Sequence, residues 1–116
     1  MNNIKIKFIE FFIIVELEDT DTARKIWDSC PINSRVNVWG EEIYFKTNVT
    51  VTKDKTAKDV INKGEIAFWV EGASIAIGYG PTPISKKNEI RLITKANIIG
   101  KSYSDLSRLS MVNSGE

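Results

Sequence analysis

The stretch from Gly64 to Ser85 constrains the fold more than any other part of the chain. It contains two strand-like runs, a turn, and the densest group of aromatic residues and glycines. In both runs large apolar residues recur at every second position, which is the pattern of a β-hairpin with one face in the core. The second run, from Ala73 to Tyr79, has isoleucines on one face and only small residues on the other. Pro81 and Pro83 then end the pairing, because proline has no backbone N–H to donate.

The rest of the chain predicts further short strands and one helix. Apolar alternation favours two strands over residues 4–8 and 11–17, with one long bent strand as the alternative, and further strands within 35–52 and once or twice within 89–99. Between them, Thr20 to Cys30 has N-cap residues and an apolar stripe that includes Trp27, which is typical of an amphipathic helix packed on one end of a sheet. Residues 53–63 and 104–109 each predict a short helical segment. The chain therefore predicts a mainly β fold, an antiparallel barrel or sandwich with one or two helices at its ends.

Composition indicates one soluble domain and argues against several partner classes. The 116 residues are 42% hydrophobic and 27% charged, with a formal net charge of +1, so no strong field favours nucleic acid or an anionic membrane. The longest apolar run, Phe11 to Val15, is too short to span a bilayer, and no signal peptide is evident. The lone Cys30 forbids an internal disulfide and fits a reducing compartment. We therefore expect a cytoplasmic protein.

The residue types present exclude several kinds of catalytic site. The chain has no histidine, so a Ser-His-Asp or Cys-His arrangement and His-bearing metal sites are impossible. The glycines at Gly78 and Gly80 are followed by Pro-Thr-Pro rather than by a helix, so they form no phosphate-binding loop. Adjacent glutamates on a strand point to opposite faces, so we do not expect Glu41 and Glu42 to form a catalytic carboxylate pair, and we predict that both are solvated turn charges. We expect no metal and no cofactor.

Four segments carry a resemblance to a known family. They are NVWGEEIYF at 37–45, GEIAFW at 64–69, Gly72 with GPTPIS at 80–85, and NIIG at 97–100. In this order they resemble the signature segments of a prokaryotic family of small cyclophilin-like proteins of uncharacterised function. The resemblance implies a single domain over residues 1–116, a closed or nearly closed antiparallel β-barrel with one amphipathic helix, and a short helical segment and tail over 104–116.

The chain departs from the family pattern in two places. It has Glu10 where the family usually has glycine in the first hairpin turn, and the further apolar strand that usually follows the position of Gly115 is absent from the sequence. A barrel without that strand would have an unpaired edge. We therefore expect another copy to cover this edge in a homo-oligomer, or a marginally stable domain. A stable monomer in light scattering, with a cooperative melt, would contradict this expectation.

The cyclophilin resemblance also suggests prolyl isomerase activity, but its catalytic motif is missing. Cyclophilins place an arginine from a Phe-His-Arg type motif beside the proline nitrogen, where it helps to lower a rotational barrier of ~20 kcal/mol. No such motif occurs here. Arg35 and Arg91 are the only arginines in or near strand-like segments, and neither matches the cyclophilin position. A weak isomerase that uses one of them is an alternative function.

A binding module is the function that the residues favour. Aromatic side chains with polar neighbours are common in binding sites for peptides and small ligands. The tryptophan at position 39 could equally fold over the barrel rim. Tyr79 lies at alternate positions with the core residues Ile75 and Ile77 and could be buried with them. Trp69 lies on the face opposite Phe68 and is the stronger candidate. A scaffold or oligomerisation module is a further alternative. The predicted groove residues are Asn37, Trp39, Tyr44, Trp69, Glu71 and Tyr79.

Overall fold

The computed structural model describes residues 2–115, which form eight strands, one α-helix and one 3-10 helix. The predicted mainly β architecture with one amphipathic helix is confirmed. In chain order the elements are β1 (Asn3–Lys7), β2 (Phe12–Leu17), α1 (Asp21–Ser29), β3 (Val36–Trp39), β4 (Glu42–Lys46), β5 (Lys58–Ile61), β6 (Glu65–Trp69), β7 (Ser74–Gly78), β8 (Ile90–Lys101) and the 3-10 helix η1 (Leu106–Met111).

All strand pairs are antiparallel, and the long strand β8 joins the parts of the sheet. The strand order is β1-β2-β8-β6-β7-β4-β3, and β5 pairs with β8 outside this path. The segment 89–99, predicted as one or two strands, lies within a single strand of twelve residues. One part of β8 pairs with β5 and its C-terminal part with β6 and β2. The predicted central hairpin is formed by β6 and β7.

The prediction of a closed barrel is not confirmed, because the sheet is open between β1 and β3. Within residues 2–115, no strand pairing joins these two strands. Side chains of Ile4, Ile6 and Val36 instead line a cleft between them. The backbone N–H of Gly115 donates to the carbonyl oxygen of Val36 at 2.7 Å, so the end of the described chain lies along β3.

The open edge bears on the expectation of self-association. Lys5 and Lys7 of β1 are exposed beside the cleft. Lysines on edge strands are a common means of preventing edge-to-edge pairing. These two charges weigh against coverage of this edge by a second copy, which stays a prediction.

The main core lies on one face of the sheet and includes the buried side of α1. Ile26 of the helix packs there with strand residues such as Ile13 and Phe68, all of them almost completely buried. The helix begins as predicted, with Thr20 as the N-cap whose hydroxyl accepts from the N–H of Ala23 at 3.1 Å. Trp27, predicted on the packed stripe, is 44% exposed, because the buried helix positions are Thr22, Ala23 and Ile26.

Two shorter predictions have different outcomes. Within 53–63 we predicted a helical turn, but the structure has turns there followed by strand β5. Pairing with β8 supplies backbone hydrogen bonds that outweigh a weak capping pattern. The short helical segment near the C-terminus is confirmed as η1, where the Asp105 side chain accepts from the N–H of Ser107 at 3.0 Å.

Neither helix is long and apolar enough to cross a membrane, in the part of the chain that the structure describes.

The segment Asn97 to Gly100 fastens β8 to its neighbours. The Asn97 side chain is fully buried; its Nδ2 donates to the Thr22 hydroxyl and to the Thr52 carbonyl, both at 3.0 Å. Its Oδ1 accepts from the N–H of Asp54 at 2.9 Å. At Gly100, an added Cβ would lie 2.3 Å from the backbone oxygen of Glu16, so only glycine fits. The first and last residues of the NIIG segment, which carries part of the family resemblance, are therefore explained by their packing.

Candidate functional site

A cavity forms on the sheet face opposite the main core, above small side chains. The strand register puts Tyr44 opposite Ala76, and Ala76 opposite Ala67. It also puts Glu42 opposite Gly78, where Ile90 takes the place of a side chain: an added Cβ at Gly78 would lie 2.4 Å from Cγ2 of Ile90. The alternation of large and small residues in the central hairpin therefore leaves room above its small face.

Aromatic side chains and β8 enclose this space. The cavity has a volume of about 160 Å³. Tyr44 and Trp69 meet edge to face, with ring centroids 5.8 Å apart and an interplanar angle of 90°, a favourable aromatic geometry. Strand β8 supplies four residues of the lining. The lining residues are Trp39, Glu42, Tyr44, Trp69, Ala76, Leu92, Ile93, Thr94 and Ala96.

Two glycines hold the tryptophans of the cavity in place. An added Cβ at Gly72 would lie 2.2 Å from Cε3 of Trp69, so the indole ring lies directly on the Gly72 backbone. Gly40 has a φ of +60°, a left-handed conformation that suits glycine in the turn between β3 and β4. This turn sets Trp39 opposite Glu42 in the strand register. The Gly-Pro-Thr-Pro segment packs on the same turn, where the Pro81 carbonyl accepts from the N–H of Glu41 at 3.0 Å.

Glu42 is the unusual polar group of the cavity. It is only 6% exposed, and its Oε1 has no hydrogen-bond partner among residues 2–115. Burial raises the pKa of the Glu42 carboxyl to about 7, because a low-dielectric site disfavours the charged form. A buried polar atom without a partner is uncommon in folded proteins. This carboxyl is therefore available to a ligand.

The prediction that Glu41 and Glu42 are both solvated turn charge is wrong for Glu42. Glu41 is exposed in the turn, whereas Glu42 is the first residue of β4 and is buried. The alternation that we used to reject a carboxylate pair also sends one of the two side chains inward. Sequence reasoning noted the alternation but not that the face of Glu42 would be covered.

Three of the six predicted groove residues meet at this cavity, and three lie elsewhere. Trp39, Tyr44 and Trp69 line it, and each is half-buried. Asn37 is exposed and is not part of the lining, although it pairs with Tyr44 in the register. Tyr79 packs against the main core, as its parity with Ile75 and Ile77 would suggest; burial, and then the charge of Glu41, raise the pKa of its hydroxyl.

Glu71 lies outside the cavity but is linked to its rim. Its carboxylate pairs with the ammonium of Lys53 at 2.7 Å. That hydrogen bond lowers the pKa of the exposed Glu71. The same ammonium donates to the hydroxyl of Thr94, a lining residue, at 3.2 Å. Glu71 thus neutralises a cation at the edge of the cavity.

The two arginines considered for isomerase activity point to other partners. Arg35 is exposed, and its Nη1 donates to the carbonyl of Gly115 at 3.1 Å. Arg91 hydrogen-bonds to the carboxylates of Glu89 and Asp59, and neither arginine lines the cavity. Across residues 2–115, no group of three or more His, Cys, Asp and Glu side chains could hold a metal ion.

Comparisons with known proteins agree with the resemblance found in the sequence. The family model described as "Cyclophilin-like" matches residues 2–116. A solution structure of a hypothetical protein from Archaeoglobus fulgidus is similar with a TM-score of 0.84 and 38% sequence identity, covering 98% of this chain and 88% of that one. A comparison with curated proteins gave no significant match.

Proposed function

The chain belongs to the cyclophilin-like family, and we propose that it binds a small, largely apolar ligand in the cavity lined by Trp39, Tyr44 and Trp69. One observation carries the proposal: an aromatic cavity contains a buried carboxyl whose Oε1 has no partner within the described chain. Typical ligand sites combine apolar walls with a few placed polar groups. An apolar ligand with one polar group would satisfy both the walls and Glu42.

The volume of the cavity limits the size of the ligand. An engineered protein cavity of about 150 Å³ takes up benzene, and this cavity has a volume of about 160 Å³. A single ring, a small branched group, or one side chain of a peptide is therefore the largest group that we expect inside. A longer peptide would have to leave most of its length outside.

Isomerase activity has less support than binding. A cyclophilin-type mechanism needs an arginine beside the proline nitrogen, and the lining of the cavity contains no arginine. We expect a protease-coupled assay on a proline peptide to give the uncatalysed rate. A clear rate enhancement that disappears in Arg35→Ala or in Arg91→Ala would instead favour the isomerase.

The binding proposal is tested with cyclohexanol, a neutral ring with one hydroxyl. We expect saturable changes in tryptophan fluorescence and in the amide NMR signals of β4 and β7, with a dissociation constant on the order of 1 mM. Ala76→Leu should abolish these changes, because Ala76 is buried in the lining and a leucine there would occupy the space. A thermal melt shows whether the variant is folded.

Ala57→Leu is the matched control, since Ala57 lies in the turns before β5 and is not a lining residue. This control should bind cyclohexanol like the wild type. Binding that survives in folded Ala76→Leu, or no saturable change in the wild type, would contradict the proposal.

A further inference from the structure

The chemistry of the lining narrows the class of ligand, and this step rests on the proposed function. Three aromatic rings and one carboxyl line the cavity, together with aliphatic side chains and Thr94. Within the described chain, no lysine or arginine is among the lining residues. The faces of aromatic rings carry partial negative charge, which attracts cations, and a carboxylate adds a full charge.

We propose that this cavity binds a small organic cation, a protonated or quaternary amine whose charged head lies among Trp39, Tyr44 and Trp69 and against Glu42. Aromatic side chains around an ammonium group are a general means of binding such ligands. The positive charge of the amine would lie beside Oε1 of Glu42, a buried oxygen without a hydrogen-bond partner among residues 2–115. Its alkyl groups would contact the apolar walls.

The charged side chains on neighbouring elements do not occupy the place proposed for the cation. Lys53 reaches the rim through Thr94, but its charge is paired with Glu71. Arg91 precedes the lining residues of β8, and its guanidinium is held by Glu89 and Asp59. Lys46, on the same strand as Glu42, is exposed, as is Glu41 in the adjacent turn. Of these four groups none lines the cavity, so no built-in cation occupies the position of the ligand.

Protonation of Glu42 should couple to binding. Burial raises the pKa of this carboxyl to about 7 in the free protein. At acid pH the carboxyl is therefore uncharged and attracts a cation only weakly. Binding of a cation stabilises the carboxylate and releases the proton. Affinity for a cation should therefore rise as the pH passes through neutrality, while affinity for a neutral ligand should not.

A matched pair of probes tests the inference: choline, and its neutral carbon analogue 3,3-dimethylbutan-1-ol. The two have the same shape, but choline has a positively charged nitrogen where the alcohol has a neutral carbon. By fluorescence titration we expect choline to bind about tenfold more tightly at about pH 8.5, and this ratio to shrink several-fold at about pH 5.5. Glu42→Gln should bring the ratio close to unity at both pH values, whereas Glu41→Gln should leave it as in the wild type.

The outcomes separate the two proposals. If the neutral alcohol binds as tightly as choline at both pH values, the cation inference is overturned and the binding function stands. If neither compound binds while cyclohexanol does, the cation inference is overturned and the binding function stands; if none of the three compounds binds, both are overturned. The dependence of the ratio on pH in the wild type needs no variant, so the inference can be tested even if Glu42→Gln fails to fold.

Discussion

Replacing Asn97 with alanine is expected to lower the free energy of unfolding by about 3 kcal/mol, through loss of its buried hydrogen bonds. The side chain is fully buried and makes three hydrogen bonds, to Thr22 of α1 and to the backbone of Thr52 and Asp54. It is thus the polar connection between β8, the helix and the loop before β5. Alanine would leave these partners unpaired and create a small cavity. Urea unfolding of wild type and variant measures the difference.

The control for this prediction is Asn88→Ala, an exposed loop position. We expect this change to alter the free energy of unfolding by less than about 0.5 kcal/mol. Hydrogen exchange gives a local test, because the N–H of Asp54 loses its acceptor in Asn97→Ala and should exchange faster. A loss of stability equal to that of the control would mean that water or a shifted backbone replaces the Asn97 contacts.

Replacing Glu42 with glutamine is expected to remove a large part of the dependence of stability on pH. The Glu42 carboxyl has an ordinary pKa of 4.5 and a pKa of about 7 in the folded protein. Between these values the folded state holds a proton that the unfolded state has released, so stability decreases as the pH rises. The contribution of this group is fully present below about pH 4.5 and is lost as the pH passes through about 7.

The size of the effect follows from the shift. Each pKa unit corresponds to about 1.4 kcal/mol, so the loss between about pH 4.5 and about pH 8 is on the order of 3 kcal/mol. Glutamine keeps the shape of the side chain without the charge. The variant should therefore be more stable than the wild type at about pH 8, and the difference should fall below about 1 kcal/mol at about pH 5. Urea unfolding at both pH values measures it.

Other carboxylates should not obscure this difference. Hydrogen bonds from Lys53 and Arg91 lower the pKa values of Glu71 and Glu89, so these groups affect stability only in more acidic solution. Glu41→Gln provides the control, because Glu41 is the exposed neighbour of Glu42. If Glu42→Gln and wild type show the same pH profile, Glu42 is not the buried titrating group that the cavity geometry implies.

The sequence pointed to Asn97 and Glu42 to different degrees, but for neither residue did it predict the surroundings in the folded protein. Asn97 belongs to a segment that the family resemblance picked out, but nothing near it in sequence indicates its partners. Those partners are 43 to 75 positions away along the chain. Glu42 was visible as a charged residue beside a turn and was predicted to be solvated. Strand β8, which begins almost fifty residues later in the chain, packs on the same sheet face and lines the cavity together with Glu42.

Local periodicity was enough to predict most of the strands, and the sheet face of most of their side chains, but not strand β5. The central hairpin, the helix that Thr20 caps, and the tryptophan at position 69 on the small face follow from alternation and capping, because these depend on neighbours within a few residues. Pairing between distant segments was not accessible in this way. It turned residues 58–61 into a strand, left β1 and β3 unpaired, and covered the small face to make a cavity around Glu42. Alternation fixes the direction of a side chain, whereas only the packing of remote strands decides whether that direction leads to water or to a site.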